Sequence, residues 1–323
     1  MSVPIHQQHE ATRPFPTGPF NAITWGWTGI RGTWTTPAAR ASVKHMAALG
    51  PNWVVLAYAA LQDNAQSTSI QWRDSPTVTD EEIVEAAGLA RELGMRVCLK
   101  PIVNCADGTW RAHIGFFDTD VPGEPTWDEW FDAYDEFIVH HAALAESVGA
   151  ELFSIGCEMV RADARADRWR GLVAKVRAVY SGPITYNCDK YQEERVTWWN
   201  AVDVISSSGY YPTGTWDEHL ARIAPVVSLH QKPFVFLEAG CPSRDTSPSR
   251  PNDWSLVGEP SGTAQAEYLD EMLTAVEATP WVRGVALWDW PANLYPAHAA
   301  ATNSDYCMYA KPGADVVTRH FAG

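Results

Sequence analysis

Residues 80–103, DEEIVEAAGLARELGMRVCLKPIV, hold the unit on which the fold reading turns. Ile83, Ala86, Ala87 and Ala90 recur at helical spacing, and Glu82 stands three residues after Thr79, the spacing of a capping box. Gly94 follows the last turn as a left-handed cap, and the apolar run 95–103 then reads as a strand buried on both faces. The same order recurs where 41–50 leads into 53–58, 127–149 into 150–157, and 168–182 into 183–188. Thr126 with Glu129 and Thr215 with Glu218 repeat the capping-box spacing. Trp127, Trp130, Phe131, Tyr134, Phe137, Ile138 and His141 share one helical stripe, which reads as core. Further apolar runs bring the expected strands to eight: 20–27, 53–58, 96–102, 151–156, 183–187, 202–208, 233–238 and 284–289. Strands alternating with helices make parallel βα units, and eight of them predict an α/β fold, a single (β/α)8 TIM barrel. A doubly wound open sheet is the rival, but no GxGxxG follows an early strand. With no linker, low-complexity tract or charge run, residues 1–323 are expected to form one catalytic domain, with 1–18 as an N-terminal extension.

Composition narrows the function classes. Among 323 residues, 24 Lys and Arg face 39 Asp and Glu, a formal charge of −15. Binding to nucleic acid or to an anionic membrane surface needs a basic face, so neither partner is expected. No run of 18 apolar residues is present to span a bilayer. The first residues, MSVPIHQQHEATRPFP, lack the charged-then-apolar layout of a secretion signal. The expectation is therefore a cytoplasmic protein, or a secreted one if a leader has been trimmed away. Six cysteines without CxxC spacing read as unpaired thiols of a reducing compartment. Sixteen tryptophans hint at sugar-ring stacking, because a pyranose presents an apolar face to a flat ring.

In a barrel of this kind the reacting groups sit at the C-terminal strand ends and in the loops after them. The fourth strand ends Ile155-Gly156-Cys157-Glu158 and the seventh Phe236-Leu237-Glu238-Ala239-Gly240. Strand geometry aims both carboxyls into one cavity. Cleavage of a glycosidic bond needs such a pair: one proton donor to the leaving oxygen, and one group that attacks the anomeric carbon or activates water. The bland reading makes each Glu a loop cap or an arginine partner. Two of them on strands four and seven of one barrel weigh against it.

Glutamates in these two places resemble the acid/base and nucleophile of the clan A glycoside hydrolases, which are retaining (β/α)8 enzymes. More closely, the chain resembles glycoside hydrolase family 113, whose founding activity is endo-β-1,4-mannanase. The stretches that carry this likeness are Leu99-Lys100-Pro101, Asp107-Gly108-Thr109-Trp110-Arg111, Phe153-Ser154-Ile155-Gly156-Cys157-Glu158, Trp169 with 176–182, Ile184-Thr185-Tyr186, 199–205 and Tyr210-Tyr211-Pro212, spread over roughly residues 95–240. The resemblance implies that Glu158 is the acid/base, Glu238 the nucleophile, and Tyr210 a donor that stabilises the ionised nucleophile. Glu158 must carry a proton at rest, so its surroundings are expected to be drier or closer to negative charge. Two positions depart from the pattern. Cys157 stands where most of the clan has an asparagine, and Asn187-Cys188-Asp189-Lys190 differs from the family's usual run after strand five.

The same resemblance makes Trp288, ending strand eight, a floor for the cleaved sugar, with Trp290 either beside it or in the core. One of Trp25 and Trp27 faces the cleft. Lys100, in an apolar strand, is either an internal salt-bridge partner or a donor to substrate hydroxyls. Asn104, Trp110 and Arg111 after strand three, and Tyr186 and Asp189 after strand five, either line the cleft or sit apart from it. Neither the cysteines nor the histidines, including His140 and His141, show metal-ligand spacing, so no metal is expected. Two carboxyls supply proton transfer and nucleophile, so no organic cofactor is expected either. The reading is a retaining glycoside hydrolase acting on β-1,4-linked hexose chains, with β-mannan or manno-oligosaccharides first. β-Glucan, xylan or a β-glucosaminide by the same mechanism is the near alternative. A non-catalytic sugar-binding barrel and a metal-dependent barrel hydrolase are the distant ones. The segment 241–262, rich in Pro and Ser, reads as a wall or lid over the cleft, or as a surface excursion.

Overall fold

The computed structural model describes residues 11–255 and 257–322; the first ten residues of the expected N-terminal extension lie outside that range. Eight parallel strands close a barrel in chain order. They are β1 (Phe20–Trp25), β2 (Trp53–Gln62), β3 (Arg96–Cys105), β4 (Leu152–Cys157), β5 (Ile184–Cys188), β6 (Val204–Ser208), β7 (Phe234–Ala239) and β8 (Val282–Trp290). Around them lie α1 (Pro37–Ala47), α2 (Asp80–Glu92), α3 (Trp127–Ser147), α4 (Ala166–Arg177), α5 (Trp216–His230), α6 (Gly262–Glu277) and α7 (Pro312–Phe321). The β5–β6 crossover contains a 3₁₀ turn, Trp199–Ala201, and no α-helix. There Trp198 stacks on Trp169 of α4, with ring centroids 5.0 Å apart and planes 11° from parallel.

Two of the three expected capping boxes close. Thr79 and Thr126 each accept from the amide three residues on, and Glu82 and Glu129 reach back. Thr215 does not cap: its ψ is 0°, not extended, and its hydroxyl donates to the Pro212 carbonyl at 2.7 Å. The aromatic stripe of α3 is buried throughout, as its spacing requires.

Alternation along the strands builds the barrel interior in layers. Phe20, Ala22, Trp53, Val55, Cys98, Leu152, Val204, Val235, Leu237 and Ala286 form one cluster inside the barrel. Nearer the mouth lie Ala57, Ile102, Cys157, Tyr210, Trp288 and Tyr306. Strict alternation would turn Glu238 away from the side that Val235 and Leu237 share. The β6–β7 register, however, shifts between Ser207↔Phe236 and Ser208↔Glu238, and β4 shifts against β5 between Ser154 and Cys157. Such irregularities re-aim side chains, and these two lie beside the two strand-end glutamates.

The barrel closes where β8 meets β1, with Gly284 beside Phe20. Gly284 has φ +139°, and a β-carbon there would lie 2.4 Å from the Phe20 carbonyl oxygen. Gly284→Ala is expected to cost about 2–4 kcal/mol of stability, from backbone strain plus overpacking. Urea denaturation of the two proteins measures it; equal midpoints would show that the seam tolerates a side chain.

Candidate active site

At the C-terminal end of the barrel a cleft of about 570 Å³ is bounded by Trp27, Asn104, Trp110, Arg111, Glu158, Asp189, Tyr210, Glu238, Asn252, Trp254 and Trp288, among others. Glu238, inside β7, is 3% exposed. Its Oε1 accepts from Lys100 Nζ at 2.5 Å and from the Cys157 thiol at 3.2 Å, and its Oε2 accepts from Tyr210 Oη at 3.0 Å. Burial pushes this carboxyl up, but Lys100, Arg111 and the thiol outweigh that and hold it below the usual carboxylate range. Burial also raises the Tyr210 phenol, with help from the Glu238 charge, so that hydroxyl stays a neutral donor.

Glu158 follows β4 directly. Its Oε1 accepts from Ser208 Oγ at 2.7 Å, and its Oε2 from Arg111 Nη2 at 2.7 Å and Trp110 Nε1 at 3.4 Å. Of the two expected conditions the first is met, since Glu158 is buried; the charges around it are of mixed sign, Arg111 touching it while Glu238 and Asp189 share the cleft. Arg111 is fixed in turn by Asn104 Oδ1 at 3.0 Å and by the Cys157 carbonyl at 3.1 Å. A carboxylate oxygen of Glu158, one of Glu238 and Cys157 Sγ lie within 4.8 Å of one another. Two uncharged side chains, Asn187 and Ser208, link the Lys100 partner of Glu238 to Glu158. Lys100 donates to Asn187 Oδ1 at 2.8 Å, Asn187 Nδ2 donates to Ser208 Oγ at 3.0 Å, and Ser208 donates to Glu158.

Trp27, Trp110, Asn104, Asp189 and Trp288 of the expected site border the cleft. Trp27 and Trp288 pack with centroids 5.1 Å apart, and the buried Trp288 Nε1 has no hydrogen-bond acceptor among the described residues. Asp189 is pushed up to about 7 by burial and by the charge of Glu158. Lys100 is a salt-bridge partner, fully buried against Glu238.

Besides Lys100, three expected residues are not at the cleft. Trp25 and Trp290 are wholly buried, and both indoles donate to Ser42 Oγ of α1, at 3.2 and 3.1 Å; their strand faces point to the helices. Tyr186 is likewise buried, with its ring against Trp169 and Trp198, because β5 turns that residue outward. Sequence reasoning overlooked Ser208, Asn187 and the thiol contact of Cys157. Each is a polar residue at the end of an apolar strand, the same signal that singled out the glutamates. It also overlooked Asn252 and Trp254, which make the 241–262 segment a wall of the cleft. Beyond them a second hollow of about 550 Å³ shares Tyr210, Asn252 and Trp254 and continues past Tyr191 and Pro212.

Two groups among the described residues bring candidate metal ligands together. One is Cys157, Glu158 and Glu238, whose atoms are already engaged by the donors named above. The other is Asp80, His140 and His141, on α2 and α3, a proximity that residue spacing alone did not reveal. There His140 Nε2 meets Asp80 Oδ2 at 2.8 Å, and His141 is buried and lowered to about 4 by that burial.

The profile of Glycoside Hydrolase Family 113 matches residues 23–311. The chain belongs to glycoside hydrolase family 113. A solved structure described as a complex of a GH113 beta-1,4-mannanase is 46% identical, with TM-score 0.94, over 95% of this chain and 100% of that one. A second GH113 beta-1,4-mannanase structure is also 46% identical, with TM-score 0.92, over 96% of this chain and 99% of that one. The GH113 beta-mannanase AaManA from Alicyclobacillus acidocaldarius, in complex with ManMIm, is 42% identical, with TM-score 0.92, over 95% and 98%. A search of curated proteins returns no match to the chain. Structures at 12–16% identity, such as a beta-glucuronidase from Bifidobacterium dentium, share the fold. The protein is thus a glycoside hydrolase with a carbohydrate substrate.

Lys100→Met leaves Glu238 buried without its main cation. The acidic limb of the family 113 enzyme's kcat/KM profile should then move to higher pH, because the carboxylate must form at greater cost. In the wild type the depressed Glu238 stabilises the fold above its unfolded pKa, and that stability is lost as pH falls through the folded value. In Lys100→Met the sign reverses: a loss of about 3–5 kcal/mol at neutral pH is partly recovered on acidification. Urea denaturation at two pH values reads this, and a variant weakened equally at both would contradict it.

Proposed function

We propose that this family 113 enzyme hydrolyses β-1,4-linked mannan or manno-oligosaccharides with retention of anomeric configuration, Glu238 being the nucleophile and Glu158 the acid/base. The observation that carries the reading is the spacing of the two carboxyls: an oxygen of each within 4.8 Å of the other. Retaining sites hold their carboxyls about 5–5.5 Å apart, whereas inverting sites separate them by about 6.5–9.5 Å to admit a water. The sugar preference is supported by the printed activity of the relatives at 42–46% identity.

In the first step a Glu238 oxygen bonds to the anomeric carbon as the bond from that carbon to the glycosidic oxygen breaks, and the Glu158 proton goes to the departing oxygen. Lys100, Tyr210 and Cys157 keep Glu238 ionised for the attack. Once the ester forms, the negative charge on Glu238 is gone, and Glu158 faces one anion fewer. In the second step Glu158 takes a proton from water, the water oxygen bonds to the anomeric carbon, and the ester bond breaks to restore the Glu238 carboxylate. Both groups return to their starting states. Trp288 and Trp27 supply flat faces for the ring being cleaved, and the second hollow gives room for further units of the chain.

The six buried, unpaired thiols favour a reducing compartment, so intracellular action on imported oligosaccharides belongs to the same proposal.

A panel of defined β-linked oligosaccharides, with products followed by mass and by anomeric NMR at early times, tests this. The expected first product is the β-anomer, from mannan-type chains ahead of glucan or xylan. Glu238→Ala should lower kcat/KM by roughly a thousandfold or more. Early release of the α-anomer, or an unimpaired Glu238→Ala, would refute the assignment.

A further inference from the structure

Glu158 has φ +53°, a left-handed conformation that a residue with a side chain keeps only where its surroundings impose it. Two hydrogen bonds flank it. Its own N–H donates to the Asn187 carbonyl at 2.8 Å, and the next N–H, that of Met159, donates to Tyr186 Oη at 3.0 Å. Both acceptors belong to consecutive residues of β5. The Tyr186 hydroxyl donates in turn to Asp163 Oδ1. Asp163 belongs to the turn that Met159 begins, its N–H donating to the Met159 carbonyl at 3.1 Å and its carbonyl accepting from Trp198 Nε1 at 3.0 Å. The Tyr186 ring packs against the stacked pair of Trp169 and Trp198, tilted to both, with centroids 5.0 and 4.9 Å away. A β-carbon on Gly156 would lie 2.9 Å from Tyr186 Cε2, so β4 rests directly against the ring just before the acid/base. Neither Tyr186 nor Asp163 borders the cleft.

We propose that Tyr186, locked by Asp163, is the positioning residue of the acid/base: through the Met159 amide it holds the Glu158 backbone at the angle that points its carboxyl to the leaving oxygen. The inference rests on the double-displacement mechanism proposed for this site. It gives buried Tyr186, which no sugar can reach, a defined task in one half of the chemistry. Proton delivery is sensitive to placement on the ångström scale. A leaving group that departs without a proton is indifferent to it.

The test compares kcat/KM, which reports breakage of the glycosidic bond, on two substrates. One is a β-1,4-manno-oligosaccharide, whose departing sugar needs the proton; the other is a dinitrophenyl β-mannoside, whose phenolate does not. Glu158→Ala sets the reference pattern, a large loss on the first substrate and little on the second. Tyr186→Phe is expected to follow it, with a roughly 10- to 100-fold loss on the oligosaccharide and less than about threefold on the dinitrophenyl glycoside. Asp163→Ala should show the same selectivity, and Asp163→Asn, which keeps an oxygen for the hydroxyl, should restore most of the activity. Equal losses on both substrates, or no loss on either, overturn the proposal; if Tyr186→Phe does not fold, the selectivity of Asp163→Ala decides between these outcomes. A wild type that cleaves neither substrate, or a Glu158→Ala without selectivity, instead overturns the double-displacement mechanism.

Discussion

Lys100 carries its ammonium group on an apolar strand, fully removed from water, 2.5 Å from Glu238. Burying either charge alone would cost several kcal/mol, and each makes the other tolerable. The pair thereby sets the chemical character of the barrel mouth. A carboxylate kept ionised in a nearly dry place is a better nucleophile than one surrounded by solvent, and it needs no rearrangement when substrate enters. Tyr210 and Cys157 complete the shell with uncharged donors. The thiol occupies the position where the resemblance leads one to expect an amide, and in this chain it is turned toward Glu238.

Each carboxyl has its own cation, Lys100 for Glu238 and Arg111 for Glu158. The two cations differ in kind, and the difference suits their partners. Lysine is a compact point charge at the end of a stem that can lie inside the barrel. Arginine is a planar fork, and Arg111 uses it to reach Asn104, the Cys157 carbonyl and Glu158 together. Glu158 is therefore tied to the loop after β3 as well as to the end of β4. Asn187 and Ser208 connect the halves without adding charge.

Eight strands were legible because helix periodicity, a following glycine and an apolar run repeat with little interference. The two glutamates were legible because a charged residue ending such a run has few structural excuses. Trp25, Trp290 and Tyr186 stayed open for one reason: proximity to a strand's C-terminal end is visible in a sequence, but the face a residue takes is not. Alternation decides the face only while the register is regular, and the shifts in β4 and β7 lie where the site begins. The third capping box failed on a backbone angle that residue types do not encode. Asp80, His140 and His141 meet across two helices, which spacing along one chain segment cannot anticipate.

The missing α-helix between β5 and β6 has an optical consequence. In its place Trp198 stacks nearly parallel on Trp169, close enough for their excited states to couple, and both rings touch Tyr186. Other indoles also meet in pairs, such as Trp25 with Trp34 and Trp27 with Trp288, but those are tilted or edge-on, whereas this stacked pair sits behind Glu158. Near-ultraviolet circular dichroism thus contains a native contribution from the wall behind Glu158, and no label is needed to watch that wall loosen.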